Sequence, residues 1–220
     1  MSKSIEFKKD GLVFQFQMET SNTKTGNLVQ NYILPESWLT SKDRIQDLSD
    51  KEICFDCTHS QSKNKTCYVR KGNSLMGLMS KVRSLRKKFI PDYSQEIEDK
   101  LIKAIAGKGV RFGAYGEPVL LGEELLGKIA KSSKFWTGYT HQWHKFNWAK
   151  DYFMASVESD LIARSAEAMG FRTFFVGDTT LENYVTCPAS KEAGKKAECA
   201  DCKMCMGTQS KAKNIKILKH

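Results

Sequence analysis

The chain is expected to fold as an α/β protein on a parallel sheet, curled into a partial or complete TIM-like barrel, with cysteine-rich metal-binding segments attached. Three observations predict this. After residue 107 short apolar runs alternate with helical stretches, two of these runs flank a capped helix as a β–α–β unit, and the seven cysteines of the 220-residue chain fall into two clusters.

Taken in order, residues 12–17 alternate as Leu12, Val13, Phe14, Gln15, Phe16, Gln17, the pattern of a strand. Residues 31–34 have strand-like content, 23–27 form a turn between the two, and 37–51 read as a loop with a helical turn. Residues 74–89 place Leu75, Met76, Leu78, Met79, Val82, Leu85 and Phe89 at helical spacing, with Lys and Arg opposite, and Pro91 stops the helix. A second helix over 94–106 turns Ile97, Leu101, Ile102 and Ile105 inward. Strands are expected at 110–115, 135–139, 152–156 and 171–176, and a closing strand at 215–218. Between the third and fourth of these, Ser159 can cap a helix whose Leu161, Ile162, Ala166 and Met169 face the sheet and which Gly170 ends. Such a unit joins parallel strands. The chain then divides into a barrel-like domain, 1–186, and a cysteine-rich segment with its closing strand, 187–220.

Parallel α/β sheets bind ligands where the strands end and the βα loops gather. That rule selects Tyr115, Gly116 and Glu117, then Thr140, His141 and Gln142, then Glu158 and Asp160, and finally Asp178. Glu117, Gln142, Glu158 and Asp160 are the catalytic candidates among them. The run from Trp136 to His144 gathers aromatics, two histidines and an amide, which would suit a nucleobase or, equally, a core.

No export signal and no apolar run long enough for a bilayer span is present, so the protein is expected in the cytoplasm, or the host cytoplasm if phage-encoded, with no membrane partner. The oligomeric state is not encoded legibly. Reduced cytosolic thiols in odd number point to metal ligation rather than disulfides. Cys187, Cys199, Cys202 and Cys205, with His220 beyond them, suit a tetrahedral zinc ion or an iron–sulfur cluster. Cys54, Cys57 and Cys67 offer three sulfurs, with His59 as a possible fourth ligand, and so form the more open group. The formal charge of +10 attracts polyanions, and nucleic acid is the natural partner; the basic stretches 81–88 and 191–196 read equally well as solvated faces.

Asn22 to Gly26, Cys67-Tyr68, Gly113 to Pro118, Gly138 to Trp143, Met154 to Val157, Cys187 to Ser190 and the last cysteines together resemble an uncharacterised family of bacteriophage proteins. The order of parts is also similar to the radical S-adenosylmethionine enzymes. That resemblance implies a [4Fe–4S] cluster on Cys54, Cys57 and Cys67 and a cofactor loop of Gly116, Glu117 and Pro118, although the cysteine spacing here is two and nine residues instead of three and two. A rival resemblance is to the tRNA-guanine transglycosylases and phage relatives that place 7-deazaguanines in DNA. It implies zinc on Cys199, Cys202, Cys205 and His220, an acidic nucleophile among Glu117, Glu158, Asp160 and Asp178, and base reading by Gln142. The expectation is therefore a metal-dependent enzyme acting on nucleic acid or nucleobases, by iron–sulfur radical chemistry or by base exchange, set against a metal-stapled binding protein without catalysis.

Overall fold

The computed structural model describes residues 3–20, 22–70, 72–179, 182–194 and 197–218. His220, Lys195 and Lys196 lie outside the described residues. Strand β1 (Ser4–Lys9), which the sequence reading did not mark, forms a hairpin with β2 (Leu12–Gln17) through Asp10 and Gly11, both with positive φ. Strand β2 is antiparallel to β3 (Val29–Pro35), while β3, β4 (Gly109–Tyr115) and β5 (Phe135–Thr137) run parallel. A second sheet is wholly parallel: β6 (Tyr139–Thr140), β7 (Met154–Val157), β8 (Thr173–Val176), β10 (Asn214–Ile217) and β9 (Tyr184–Thr186), in that spatial order.

The expected α/β class with parallel-rich sheets is therefore present. The barrel is not closed: among the described residues β1 and β9 are outer strands of two separate sheets, and the first three strands are antiparallel. Residues 135–139, read as one strand, break at Gly138. A Cβ there would lie 2.7 Å from the Phe153 ring, so only glycine lets the chain pass from one sheet to the other at this point. Because β10 inserts between β8 and β9, the C-terminal segment completes the second sheet.

Short α1 (Ser37–Thr40) and α2 (Lys51–Cys54) lie in the long connection after β3, followed by α3 (Gly72–Leu85) and α4 (Gln95–Ile105). Helices α5 (Glu123–Ser132) and α6 (Asp160–Ala168) flank the later strands, and α7 (Cys199–Cys202) is a single turn. The Ser159 hydroxyl accepts from the Ile162 N–H at 3.3 Å, the cap expected from the sequence; Ser94 caps α4 in the same way, accepting from the Ile97 N–H at 3.3 Å, and Gly170 follows α6 at φ +85. Two faces differ from expectation. Helix α6 turns Ala163 and Ala166 to the sheet and leaves Leu161 and Ile162 exposed, because small residues permit the close approach. Phe89 lies beyond α3 and is 93% exposed.

The main core joins Phe7, Phe14, Phe16, Phe112, Phe153 and Phe175 with Leu78, Val82, Leu101, Ile105 and Ile129 from the helices. Each such side chain contributes about 1.5–3 kcal/mol by leaving water. A smaller cluster holds Met154, Phe174, Ile215 and Ile217 beside Cys187 and Cys205. No helix among the described residues is long and apolar enough to cross a membrane.

Candidate metal centre at the strand ends

Strand β3 ends at Pro35, and residues 36–70 then cross toward the ends of the parallel strands before α3 begins. This connection is pinned rather than loose. The Arg70 guanidinium donates to the Gln46 and Leu48 carbonyls at 2.9 and 3.0 Å, the fully buried Asp50 carboxylate accepts the Gln61 N–H at 3.0 Å, and the Glu117 N–H donates to the Ile53 carbonyl at 2.8 Å. Phe55, at φ 48 and ψ −117, holds a strained backbone next to Cys54.

The pinned loop presents His59 to two residues that follow strands, His141 after β6 and Glu158 after β7. Glu158 Oε1 stands 3.3 Å from His59 Nε2 and 3.3 Å from His141 Nε2. All three atoms are buried, and none makes a hydrogen bond of good geometry. They also lie within 4.8 Å of one another, the only such trio of His, Cys, Asp or Glu atoms among the described residues. Ligands about 2.0–2.1 Å from a tetrahedral ion sit about 3.3–3.4 Å apart, so both observed separations match a shared divalent metal.

The far sides of both imidazoles are fixed. His59 Nδ1 is 2.7 Å from Thr66 Oγ1, and His141 Nδ1 is 3.2 Å from Glu117 Oε1. The same Glu117 carboxylate accepts from the His141 backbone N–H at 3.0 Å and from the Thr140 hydroxyl at 2.8 Å. A carboxylate behind a histidine is the usual outer support of a metal ligand, because it sets the tautomer and raises basicity. Without an ion, burial works against a charged His141, but the neighbouring Cys57, Glu117 and Glu158 side chains hold its pKa well above the ordinary range. Burial likewise opposes ionisation of Glu158, and the two histidines override it to bring its carboxyl down to about 2. Glu158 is therefore a carboxylate at neutral pH, whereas an ion bound at His141 would have to displace its proton.

Of the residues that the strand-end rule selected, the structure brings Glu117, His141 and Glu158 together, and His59 joins them from a loop eighty-odd residues earlier. The other candidates have different partners. Gln142 is fully buried, with its amide donating to Asp56 Oδ1 at 2.6 Å and accepting from Lys145 at 3.1 Å, so it clamps the loop instead of reading a base. Asp56, which sequence reasoning did not single out, is opposed by burial but held down to about 2 by Lys145 and Gln142. Asp160 pairs with Arg164 at 2.9 Å one turn along α6, and Asp178 is exposed. Trp136, Trp143 and Trp148 pack against the main core, Trp136 donating to the Tyr152 carbonyl at 2.8 Å, so these rings do not form a free stacking platform.

The Gly116, Glu117 and Pro118 loop does not fit an ammonium-binding cofactor site. Glu117 is 5% exposed with its oxygens engaged, and Gly116 is required by packing, since a Cβ would lie 2.9 Å from Ile33 Cβ. Cys54 and Cys57 are buried and Cys67 half-buried beside this region, with Cys57 reaching His141. Burial pushes the Cys54 and Cys67 thiols up. Cys187, Cys199, Cys202 and Cys205 gather elsewhere, around one small cavity. No protein-family model, curated protein or solved structure matches the chain.

Proposed function

We propose that the protein is a metal-dependent enzyme acting on nucleic acid or nucleobases, with one divalent ion held by His59 Nε2, His141 Nε2 and Glu158 Oε1. The observation that carries this reading is the convergence of three buried, otherwise unbonded ligand atoms, with Glu158 Oε1 3.3 Å from each imidazole Nε2 and all three within 4.8 Å of one another. Three protein ligands leave a coordination position open, which distinguishes catalytic from structural zinc-type centres. The ion would supply Lewis-acid polarisation and water activation; Glu117 and Thr66 would hold the imidazoles against it. The +10 charge supports a polyanionic substrate.

The test is divalent-metal binding followed by incubation with single- and double-stranded DNA and RNA, scored for strand cleavage and for released or altered bases. Metal-dependent product that His141→Ala and Glu158→Gln abolish is expected. Metal binding that both variants leave unchanged would overturn the proposal.

A second reading, iron–sulfur chemistry on Cys54, Cys57 and Cys67, is favoured by their gathering beside the same site. It requires iron and acid-labile sulfide in protein purified without oxygen, and their loss in Cys67→Ser.

A further inference from the structure

We infer that Cys187, Cys199, Cys202 and Cys205 form a second metal centre, a closed four-thiolate site for a single zinc-class ion that fastens the C-terminal segment to the rest of the fold. This goes beyond the proposed enzyme site and does not rest on it.

The four cysteines come from two stretches eleven residues apart and nevertheless line one cavity, together with Tyr139 and Ile215. Each is tied to a different piece of backbone. The Cys187 N–H donates to the Lys216 carbonyl on β10 at 2.9 Å, and the Cys199 N–H donates to the Lys24 carbonyl at 3.1 Å in the turn before β3. The Cys202 N–H closes α7 onto Glu198 at 2.9 Å, and the Cys205 carbonyl accepts the Gly138 N–H at 3.2 Å where β5 gives way to β6. Four cysteines held by four separate supports around one cavity are not expected of inert core thiols, which need only apolar neighbours; in the metal-free chain no three of their sulfurs yet lie within 4.8 Å of one another.

Size and charge select the occupant. The cavity among these side chains has room for one water-sized body, about 10 Å³, which accommodates a single ion. Four thiolates on a divalent ion carry two net negative charges. The Arg111 guanidinium lies close enough to Cys199 and Tyr139 to act on them electrostatically, and among the described residues no carboxylate pairs with it; its hydrogen bond goes to the Tyr68 hydroxyl at 2.8 Å. Arg111 thus supplies positive charge that the metal-free pocket does not use. The Tyr139 hydroxyl, 3.5 Å from Cys205 Sγ, can donate to that sulfur as an outer support. On binding, the sulfurs close to about 3.8 Å from one another, the spacing set by Zn–S bonds of about 2.3 Å.

Cobalt(II) substitution of the full chain tests this, with Cys67→Ser as background to reduce thiolate binding at the N-terminal group. A four-thiolate centre gives intense ligand-field bands and thiolate-to-cobalt charge transfer whose intensity scales with the number of sulfurs. Cys187→Ser and Cys202→Ser should each weaken cobalt binding by more than the roughly 10–100-fold that loss of an outer partner costs. Glu158→Gln and His220→Ala should leave these bands unchanged, which keeps this site's failure separate from failure of the strand-end centre. Charge transfer equal to fewer than four thiolates would overturn the inference even if the cysteine variants do not fold. So would bands that survive Cys187→Ser, or iron and sulfide that Cys202→Ser removes.

Discussion

The strand-end trio and the four-cysteine pocket are both built from residues far apart in sequence, yet they are opposite kinds of site. The trio is nitrogen and oxygen, lies where parallel strands end, and leaves one side of its proposed ion without a protein ligand. The pocket is sulfur, lies within the smaller apolar cluster, and is surrounded by backbone ties. Their charge states differ as well. In the metal-free protein Glu158 is held ionised, its carboxyl brought down to about 2, and His141 is held protonated, whereas burial pushes the Cys205 thiol up to about 12. Strand ends favour a polar, charge-bearing site because loops there can be polar; the interior of a small cluster tolerates thiols because they are neutral until a metal displaces their protons.

The largest expected effect separates the sites by what removal does. Chelating the sulfur-bound ion should lower the thermal midpoint by many degrees, since a structural ion contributes folding free energy directly. His141→Ala should abolish metal at the strand ends with a much smaller fall in midpoint. Scanning calorimetry with metal analysis checks both, and equal destabilisation would erase the proposed division between structural and catalytic centres.

Glu117→Gln should come next. It keeps the shape of the side chain but removes the charge behind His141, so metal affinity at the trio should fall roughly 10–100-fold while the cobalt–thiolate spectrum is unchanged. Titration with a competing metal indicator reads this directly, and an unaltered affinity would demote Glu117 to a packing residue.

Gly138→Ala should disturb both sites together. Its added methyl meets Phe153 at 2.7 Å, and Gly138 bonds Cys205 on one side of a strand break that leads to His141 on the other. A loss of about 1–3 kcal/mol by urea denaturation is expected, with weaker metal binding at each site. A change confined to one site would show that the break does not couple them.

The smallest effect is one of pH on metal-free protein. Because the Glu158 pKa is depressed from its ordinary 4.5 to about 2, its contribution is present above about 4.5 and is lost as the pH falls through about 2. Allowing for its partial exposure, the contribution is at most about 2 kcal/mol. Acid denaturation of Glu158→Gln should lack this component, while Cys202→Ser should retain it. An acid profile unchanged by Glu158→Gln would mean that the Glu158 carboxylate does not contribute to stability without its ion.

Much of this arrangement was legible in the sequence where local chemistry decides it. Ser159 announced its helix, and the strand-end rule led to His141, Glu117 and Glu158. It failed where tertiary contact decides. Nothing local tells that Gly138 must clear Phe153, that Asp160 would turn to Arg164, or that Gln142 would be spent on Asp56. His59 was visible only as a companion of nearby cysteines; its place opposite Glu158 depends on how residues 36–70 are pinned, which has no periodicity to read. The open sheet escaped prediction because the β1 hairpin and the antiparallel pairing of β2 with β3 depend on partners and turns, not on apolar pattern alone.

The most direct measurement is an anomalous-difference map from crystals of the zinc-loaded full chain. The account predicts a peak about 2.0–2.1 Å from His59 Nε2, His141 Nε2 and Glu158 Oε1. Density at the cysteines alone, with the two imidazoles paired to the Glu158 carboxylate and no peak between them, would contradict it.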